Sequence, residues 1–452
     1  MGEANPRRGL RRCLGEAAVT AQAVGTVGLT LTAVINIPQV QAGAGHSTAL
    51  CYLAAFGVMV LVCESLVLFQ GAKADAAGIA GYVRTSLGRP AGLLAAWLLT
   101  LGYAATLVAC LAFLGRYLGQ LVAPLGVSAP PALAVVLGGS VVVVLARRDV
   151  RFSTRIMMVT EAVSVLIVLG LCGLVLWRGA GAQDWQALNP KADSLPQVQA
   201  GLMAAVLSFI GFESAATLGA ESLLPQQAVP RALRRTVLVA GGLFVVWAVV
   251  LSEGLSWLPA AERSAMDPIS LLADRLGQAG AADWIRFGAV LCLLGTCIGC
   301  LSAVGRILYA LAEEQVLPAV LTAVHPRFGT PAMALGCAGI PALVLTTVAV
   351  QQGISSSTLF NQFGSFSVLG FLLVYGLVSL GCLARPLPGV DPRRRLWIGG
   401  LGLSAVSALL VAFIGGLLPG QTEVVAWFSG LAVLGGGLIW RAIRGPHQTD
   451  QV

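Results

Sequence analysis

Four carboxylates fall at places where a carboxylate is costly. Glu64, Glu161, Glu213 and Glu221 lie inside long apolar runs. An ionisable side chain at membrane depth costs roughly 2.5–3.5 kcal/mol on insertion scales, so each needs a partner or a task. The densest arrangement is Phe209-Ile210-Gly211-Phe212-Glu213, followed by Glu221. Glycine weakens a helix by about 1 kcal/mol relative to alanine, and Glu213 must face protein or water. Together they read as a helix broken near the membrane midplane, its freed backbone lining a cavity. A kinked helix whose Glu bonds a neighbouring hydroxyl also satisfies the pattern. Glu161, in Thr160-Glu161-Ala162-Val163-Ser164, is a second buried carboxyl, either titrating or bonded to a nearby Ser or Thr. Glu16 and Glu253 sit near span ends, within reach of the interface.

The elements that position these groups follow from composition. The chain has 452 residues, 57% hydrophobic and only 11% charged, with a mean hydropathy of +0.85. Soluble domains carry roughly 25% charged residues. This chain therefore reads as an all-α integral membrane protein, and soluble enzymes, disordered scaffolds and disulfide-stapled secreted domains are excluded. A span needs roughly 20 apolar residues. Twelve candidates lie near 17–40, 49–71, 91–122, 130–146, 154–177, 198–224, 236–257, 284–311, 332–350, 357–383, 396–418 and 424–441.

The net charge of +8 is a matter of topology. Assigning the loops to alternate sides places 22 of the 28 Lys and Arg on one side and five on the other. The basic side is expected to be cytoplasmic, with both termini on it. No nucleic-acid partner is needed to explain the charge. The N-terminal arginines before an apolar run resemble a signal peptide, but that run is too long for a usual signal core. No phosphate-binding GxxxxGK[ST] loop occurs. The ten cysteines lie mostly in or beside apolar runs and read as packing, Cys297 and Cys300 included. The three histidines are in loops or a terminus, and no metal set, cofactor motif or nucleophile–base pair marks an enzyme.

Three ordered blocks then match a family. Phe209-x-Gly211-Phe212-Glu213, Glu221, Pro225 and Val229-Pro230-Arg231-Ala232 resemble a sixth helix and its following loop in the amino acid–polyamine–organocation (APC) superfamily of permeases. Ala80-Gly81-Tyr82-Val83-Arg84, Gly88-Arg89-Pro90, Trp97 and Gly102-Tyr103 resemble the start of its helix three. Gly305-Arg306, Tyr309-Ala310, Leu317-Pro318 and His325-Pro326-Arg327-Phe328-Gly329-Thr330-Pro331 resemble its helix eight and the loop beyond.

The resemblance implies two five-helix repeats, inverted in the membrane, over 17–178 and 198–385. Two further helices over 396–441 and short termini at 1–16 and 442–452 complete the chain. Helices one and six would be broken at the midplane. A substrate carboxylate would meet a half-helix N-terminus, where free N–H groups and the helix dipole favour anions. Its ammonium would meet the opposing carbonyls. Helix one departs from the family's Gly-rich break. Thr30-Leu31-Thr32-Ala33-Val34 stands there, and Leu or β-branched side chains would crowd a carboxylate. Thr hydroxyls could replace N–H donors, and Pro38 could supply a later break.

The expected substrate site is Thr30, Leu31, Thr32, Ala33 and Val34 with Phe209, Ile210, Gly211, Phe212 and Glu213. Tyr103, Asn361 and Ser365 add to its walls. Glu213 and Glu161 are the candidates for proton coupling, Glu213 equally as a brace. Thr296 and Ser302 could offer oxygens to sodium. Some of the arginines near the basic side are expected to pair with Glu221, Glu313 or Glu314. The sequence thus reads as a secondary transporter of an amino acid or related amine, by proton symport and alternating access. The partners are a small substrate, a coupling ion and the lipid bilayer. The rivals are an amino acid or amine exchanger and a non-transporting membrane sensor on the same fold.

Overall fold

The computed structural model describes residues 10–69, 76–126, 130–179, 195–276, 280–415 and parts of 426–437. Most of the twelfth expected span, 424–441, the tail 442–452 and most of the loop 179–197 lie outside the described residues.

Among the described residues every regular element is helical, and nine segments are long and apolar enough to cross a membrane. The first crossing is α1 (Glu16–Val27), α2 (Leu29–Leu31), a π turn (Thr32–Asn36) and α3 (Ile37–Ala44). Then come α4 (Thr48–Val67), α5 (Ile79–Leu87), α6 (Arg89–Val122), α7 (Pro131–Ala146) and α8 (Val150–Arg178). The sixth crossing is α9 (Leu195–Leu207) followed by a 3₁₀ run (Phe212–Leu218). The chain continues with α10 (Pro225–Ser256), the short α11 (Ala260–Arg263) and α12 (Pro268–Arg275), and α13 (Ala281–Glu313). It closes with α14 (Ala332–Gln351), α15 (Ser356–Ala384) and α16 (Pro392–Gly415).

Most observed helices lie within a few residues of the expected spans, because each apolar run is about as long as the hydrocarbon is thick. The exception is α10, which begins at Pro225 rather than near 236. Its first turns carry Arg231, Arg234 and Arg235, which a hydropathy reading assigns to a loop. These arginines lie beyond the apolar layer, where Arg234 pairs with Glu64 and Arg235 with Glu16. Glu64 is therefore not a mid-membrane charge. It sits in the last turn of α4, partly exposed, between Arg234 and Arg394.

The centre of the bundle is α6 and α13, with α15 packed along α6 and α8 along α13. Leu137 of α7, Leu166 of α8, Val344 of α14 and Val411 of α16 are exposed. They form a surface suited to lipid rather than water.

Two breaks lie inside this frame. In the first crossing Gly28 takes φ +67°, a left-handed conformation that costs most residues about 1–2 kcal/mol. The break is thus at Gly28, not at Thr30–Val34. The expected segment instead resumes the helix as α2 and widens into the π turn. Pro38 follows in the first turn of α3; lacking an N–H, it cannot continue the hydrogen-bond ladder of that turn. In the sixth crossing Gly211 takes φ +116°. A Cβ there would lie 2.8 Å from the Thr26 carbonyl carbon and 2.9 Å from its oxygen. The two breaks therefore touch backbone to backbone. Gly211→Ala should cost more than about 2 kcal/mol, adding steric clash to left-handed strain. Thermal unfolding in detergent measures it; an unchanged melting temperature would contradict this contact.

Candidate functional site

The Gly28 break frees backbone N–H groups at the start of α2, and the protein fills them from its own side chains. Glu161, buried on α8, places Oε1 3.2 Å from the Thr30 N–H. The Cys292 thiol on α13 lies 3.7 Å from the same oxygen, and its sulfur accepts the Leu31 N–H at 3.2 Å. Thr30 Oγ1 donates to Ser164 Oγ, 3.0 Å away. Glu161 Oε2 is buried with no partner, as are Thr296 Oγ1 and Thr32 Oγ1. A protein carboxylate thus occupies a half-helix N-terminus, the place where the fold favours an anion.

The Gly211 break is held differently. Glu213 is buried and fully engaged. The Tyr103 hydroxyl donates to its Oε1 at 2.6 Å and the Tyr375 hydroxyl to its Oε2 at 2.7 Å. The Gly211 N–H reaches Oε2 at 3.2 Å. One carboxylate therefore ties the 3₁₀ run to α6 and α15. Further links join the two broken crossings. Ser214 Oγ lies 3.0 Å from Thr26 Oγ1, and Asn36 Nδ2 donates to Ser208 Oγ at 2.9 Å.

Between the breaks lies a cavity of about 20 Å³. That is room for about one water molecule, so a larger molecule enters only if the walls move. Of the expected substrate residues, Leu31 and Ile210 line it, and so does Thr296. Thr26 and Val27 line it from before the break, because the break falls earlier than expected. Thr106 and Cys110 of α6, and Phe360 and Gly364 of α15, complete the mostly apolar wall.

Several expected positions lie elsewhere. Asn361 is exposed, while its neighbour Phe360 is buried and faces the cavity. Ser365 is partly buried and not a wall residue, its place taken by Gly364. Phe209 belongs to an aromatic packing group with Phe56 and Phe244, and Phe212 lies against the Tyr375 ring. Thr30, Thr32, Ala33 and Val34 are buried in α2 and the π turn, not along the cavity. Thr296 and Ser302 do not share an ion site. Six residues along a helix separate them by about 9 Å and turn them to different faces. The Ser302 carbonyl instead accepts from Arg306 at 3.1 Å. Cys292 and Tyr375 were not singled out from the sequence. A thiol in a helix reads as packing and a lone Tyr as bulk, because their partners are far away in the chain.

At the end of the bundle where the chain begins, the cavity is sealed. Arg306 and Glu221 form a buried pair at 2.5 Å, only 2% and 1% exposed. Arg84 pairs with Glu314, as expected from their side of the membrane. The N-terminal segment closes over this end: Leu223 donates to the Leu14 carbonyl at 2.9 Å, and Arg151 holds the Cys13 carbonyl.

Comparison with known proteins decides the family. A model of the amino acid permease family matches residues 14–439. The chain belongs to the amino acid permease family. It is therefore a multi-pass membrane protein of a transporter family. An uncharacterized transporter of Mycobacterium tuberculosis is 28% identical over 367 residues, covering 80% of this chain and 76% of that one. A branched-chain amino acid permease of Bacillus subtilis is 23% identical over 352 residues, covering 72% of each. The crystal structure of MhsT in complex with L-phenylalanine aligns with a TM-score of 0.63 at 14% identity, over 90% of this chain and 100% of that one. That likeness bears on the fold alone: the two chains share one helical bundle.

Removing one partner of a buried ion pair costs about 3–5 kcal/mol, because the other charge is left unpaired. Arg306→Met should destabilise the chain by that amount. The double variant Arg306→Met/Glu221→Leu should recover most of it. Thermal unfolding of the two variants checks this, and equal losses would deny the pair its sealing role.

Proposed function

We propose that the protein carries a small amino acid with an apolar side chain, together with a proton, by alternating access. The observation that carries this reading is the Glu161 carboxylate on the Thr30 N–H. A charged Glu161 and a substrate carboxylate compete for the same N–H group, and two like charges in one buried site repel. A protonated Glu161 is no longer the anion that holds this N–H, and the half-helix is open to the substrate. Substrate and proton therefore bind together, which is symport. The substrate ammonium would meet the carbonyls ending α1, and its side chain the apolar wall around Val27, Leu31, Ile210 and Phe360.

Glu213 has a different task in this scheme. With both oxygens engaged by Tyr103, Tyr375 and Gly211, it braces the second break. The arginine-rich end, sealed by Arg306–Glu221, faces the cytoplasm by the positive-inside bias. The lipid bilayer and the substrate are its partners in this reading.

The test separates coupling from binding. Glu161→Gln mimics the protonated side chain permanently. In proteoliposomes it should keep exchange of internal for external substrate but lose accumulation driven by an inward proton gradient. Gradient-driven accumulation at the wild-type level would rule Glu161 out as the proton site.

A further inference from the structure

The motif His325-Pro326-Arg327-Phe328-Gly329-Thr330-Pro331, between α13 and α14, has no part in the transport mechanism. It folds into a closed turn. The His325 N–H donates to the Thr330 carbonyl at 2.8 Å, and the Gly329 N–H to the His325 carbonyl at 2.9 Å. His325 Nδ1 accepts the Arg327 and Phe328 N–H groups at 3.2 and 3.3 Å. The proton of the neutral ring is therefore on Nε2, which remains a donor. Thr330 Oγ1 donates to the Arg147 carbonyl at 2.9 Å, so the turn is fastened to the end of α7.

This frame gathers cations. The guanidinium carbon of Arg148, from the turn between α7 and α8, lies 5.6 Å from the centre of the Phe328 ring. That of Arg327 lies 5.5 Å from the same point. The His325 ring stacks on Phe328 at 4.6 Å, and Arg11 of the N-terminal segment passes beside Gly329. All three arginines are exposed. Among the described residues none of them forms an ion pair. Asp149, next to Arg148, caps α8 by accepting the Arg151 N–H at 2.8 Å. The positive-inside bias requires only that arginines be present at this end. It does not require guanidiniums from separate segments to meet at one ring, where like charges repel. A phosphate group offsets that repulsion, and its oxygens match the guanidinium fork.

The surface leading away from the cluster is apolar. Gly139 of α7 packs against Leu343 of α14, and Gly339 of α14 against Val143 of α7. These contacts set an antiparallel register that brings Arg148 level with the first turn of α14. From there a seam runs along the two helices, edged by exposed Val144, Val141 and Leu137 on α7 and Ile340 and Val344 on α14.

We infer that this corner binds an anionic phospholipid of the leaflet at the arginine-rich end. Its phosphate sits on Arg148 and Arg327, and an acyl chain lies along the α7–α14 seam. Arg11 and His325 Nε2 offer further donors to the headgroup. The inference goes beyond the transport mechanism and does not depend on which substrate is carried.

The full chain in a non-ionic detergent is titrated with phosphatidylglycerol bearing a fluorophore on one acyl chain, and anisotropy reads binding. Arg148→Gln and Arg327→Gln should each weaken binding about fivefold, the usual loss for one arginine at an anionic surface. Arg155→Gln, exposed near the same end of α8 but off the ring, should leave it unchanged. All three side chains are exposed, so the variants should fold; their melting temperatures check it. Glycerophosphoglycerol, the headgroup without chains, should compete about a hundredfold more weakly than unlabelled phosphatidylglycerol. Equal losses in all three variants would reduce the cluster to diffuse positive charge and overturn the site, as would no loss in Arg148→Gln and Arg327→Gln. Competition by glycerophosphoglycerol or inorganic phosphate as strong as by the lipid would make this a site for soluble phosphates and overturn the lipid assignment.

Discussion

The N–H groups freed where the first crossing breaks at Gly28 must be satisfied inside the protein, because lipid offers nothing to bond them. An unsatisfied buried donor costs about 1–3 kcal/mol. The chain meets this demand with a carboxylate from α8 and a thiol from α13. That choice ties the shape of the broken helix to two other crossings. It also puts a titratable group on the very donor that a substrate carboxylate would use. In the proposed mechanism, stability in one protonation state and readiness for substrate in the other are two sides of one contact.

The second break is resolved with the same type of residue to the opposite effect. Glu213 has two tyrosine hydroxyls and a backbone N–H, so both its oxygens are held in place. Glu161 keeps one oxygen without a partner. Two buried carboxylates at two helix breaks thus differ in how completely they are bonded. In the proposed mechanism that difference separates a fixed joint from a moving one. The central cavity is small because both breaks are drawn together, with Gly211 against the Thr26 carbonyl. The Arg306–Glu221 pair and the N-terminal segment close the arginine-rich end.

Much of the fold was legible because each span is an apolar run of membrane thickness, and hydropathy finds such runs. It failed at the start of α10, where Arg231, Arg234 and Arg235 continue a helix beyond the lipid. The sixth-crossing break was legible in Gly211-Phe212-Glu213, three residues that make no sense as a lipid-facing helix. The first-crossing break was misplaced because the family's glycine pair was sought at Thr30–Val34. The physical requirement was a single residue free to take positive φ, and Gly28 alone met it there. Tyr375 and Cys292 were illegible for another reason. Their importance lies in contacts across 162 and 131 residues of chain, and spacing along the chain carries no trace of them. Asn361 and Ser365 missed the cavity by one residue each, the difference between adjacent faces of a helix.

The measurement that bears most directly on this account is proton uptake on substrate binding. In weakly buffered detergent solution, a pH indicator records whether the purified chain takes up protons as a transported amino acid binds. If the substrate carboxylate replaces a charged Glu161, about one proton should enter per substrate bound, and none in Glu161→Gln. Binding without proton uptake, or uptake unchanged in Glu161→Gln, would contradict the exchange of one carboxylate for another at the Gly28 break.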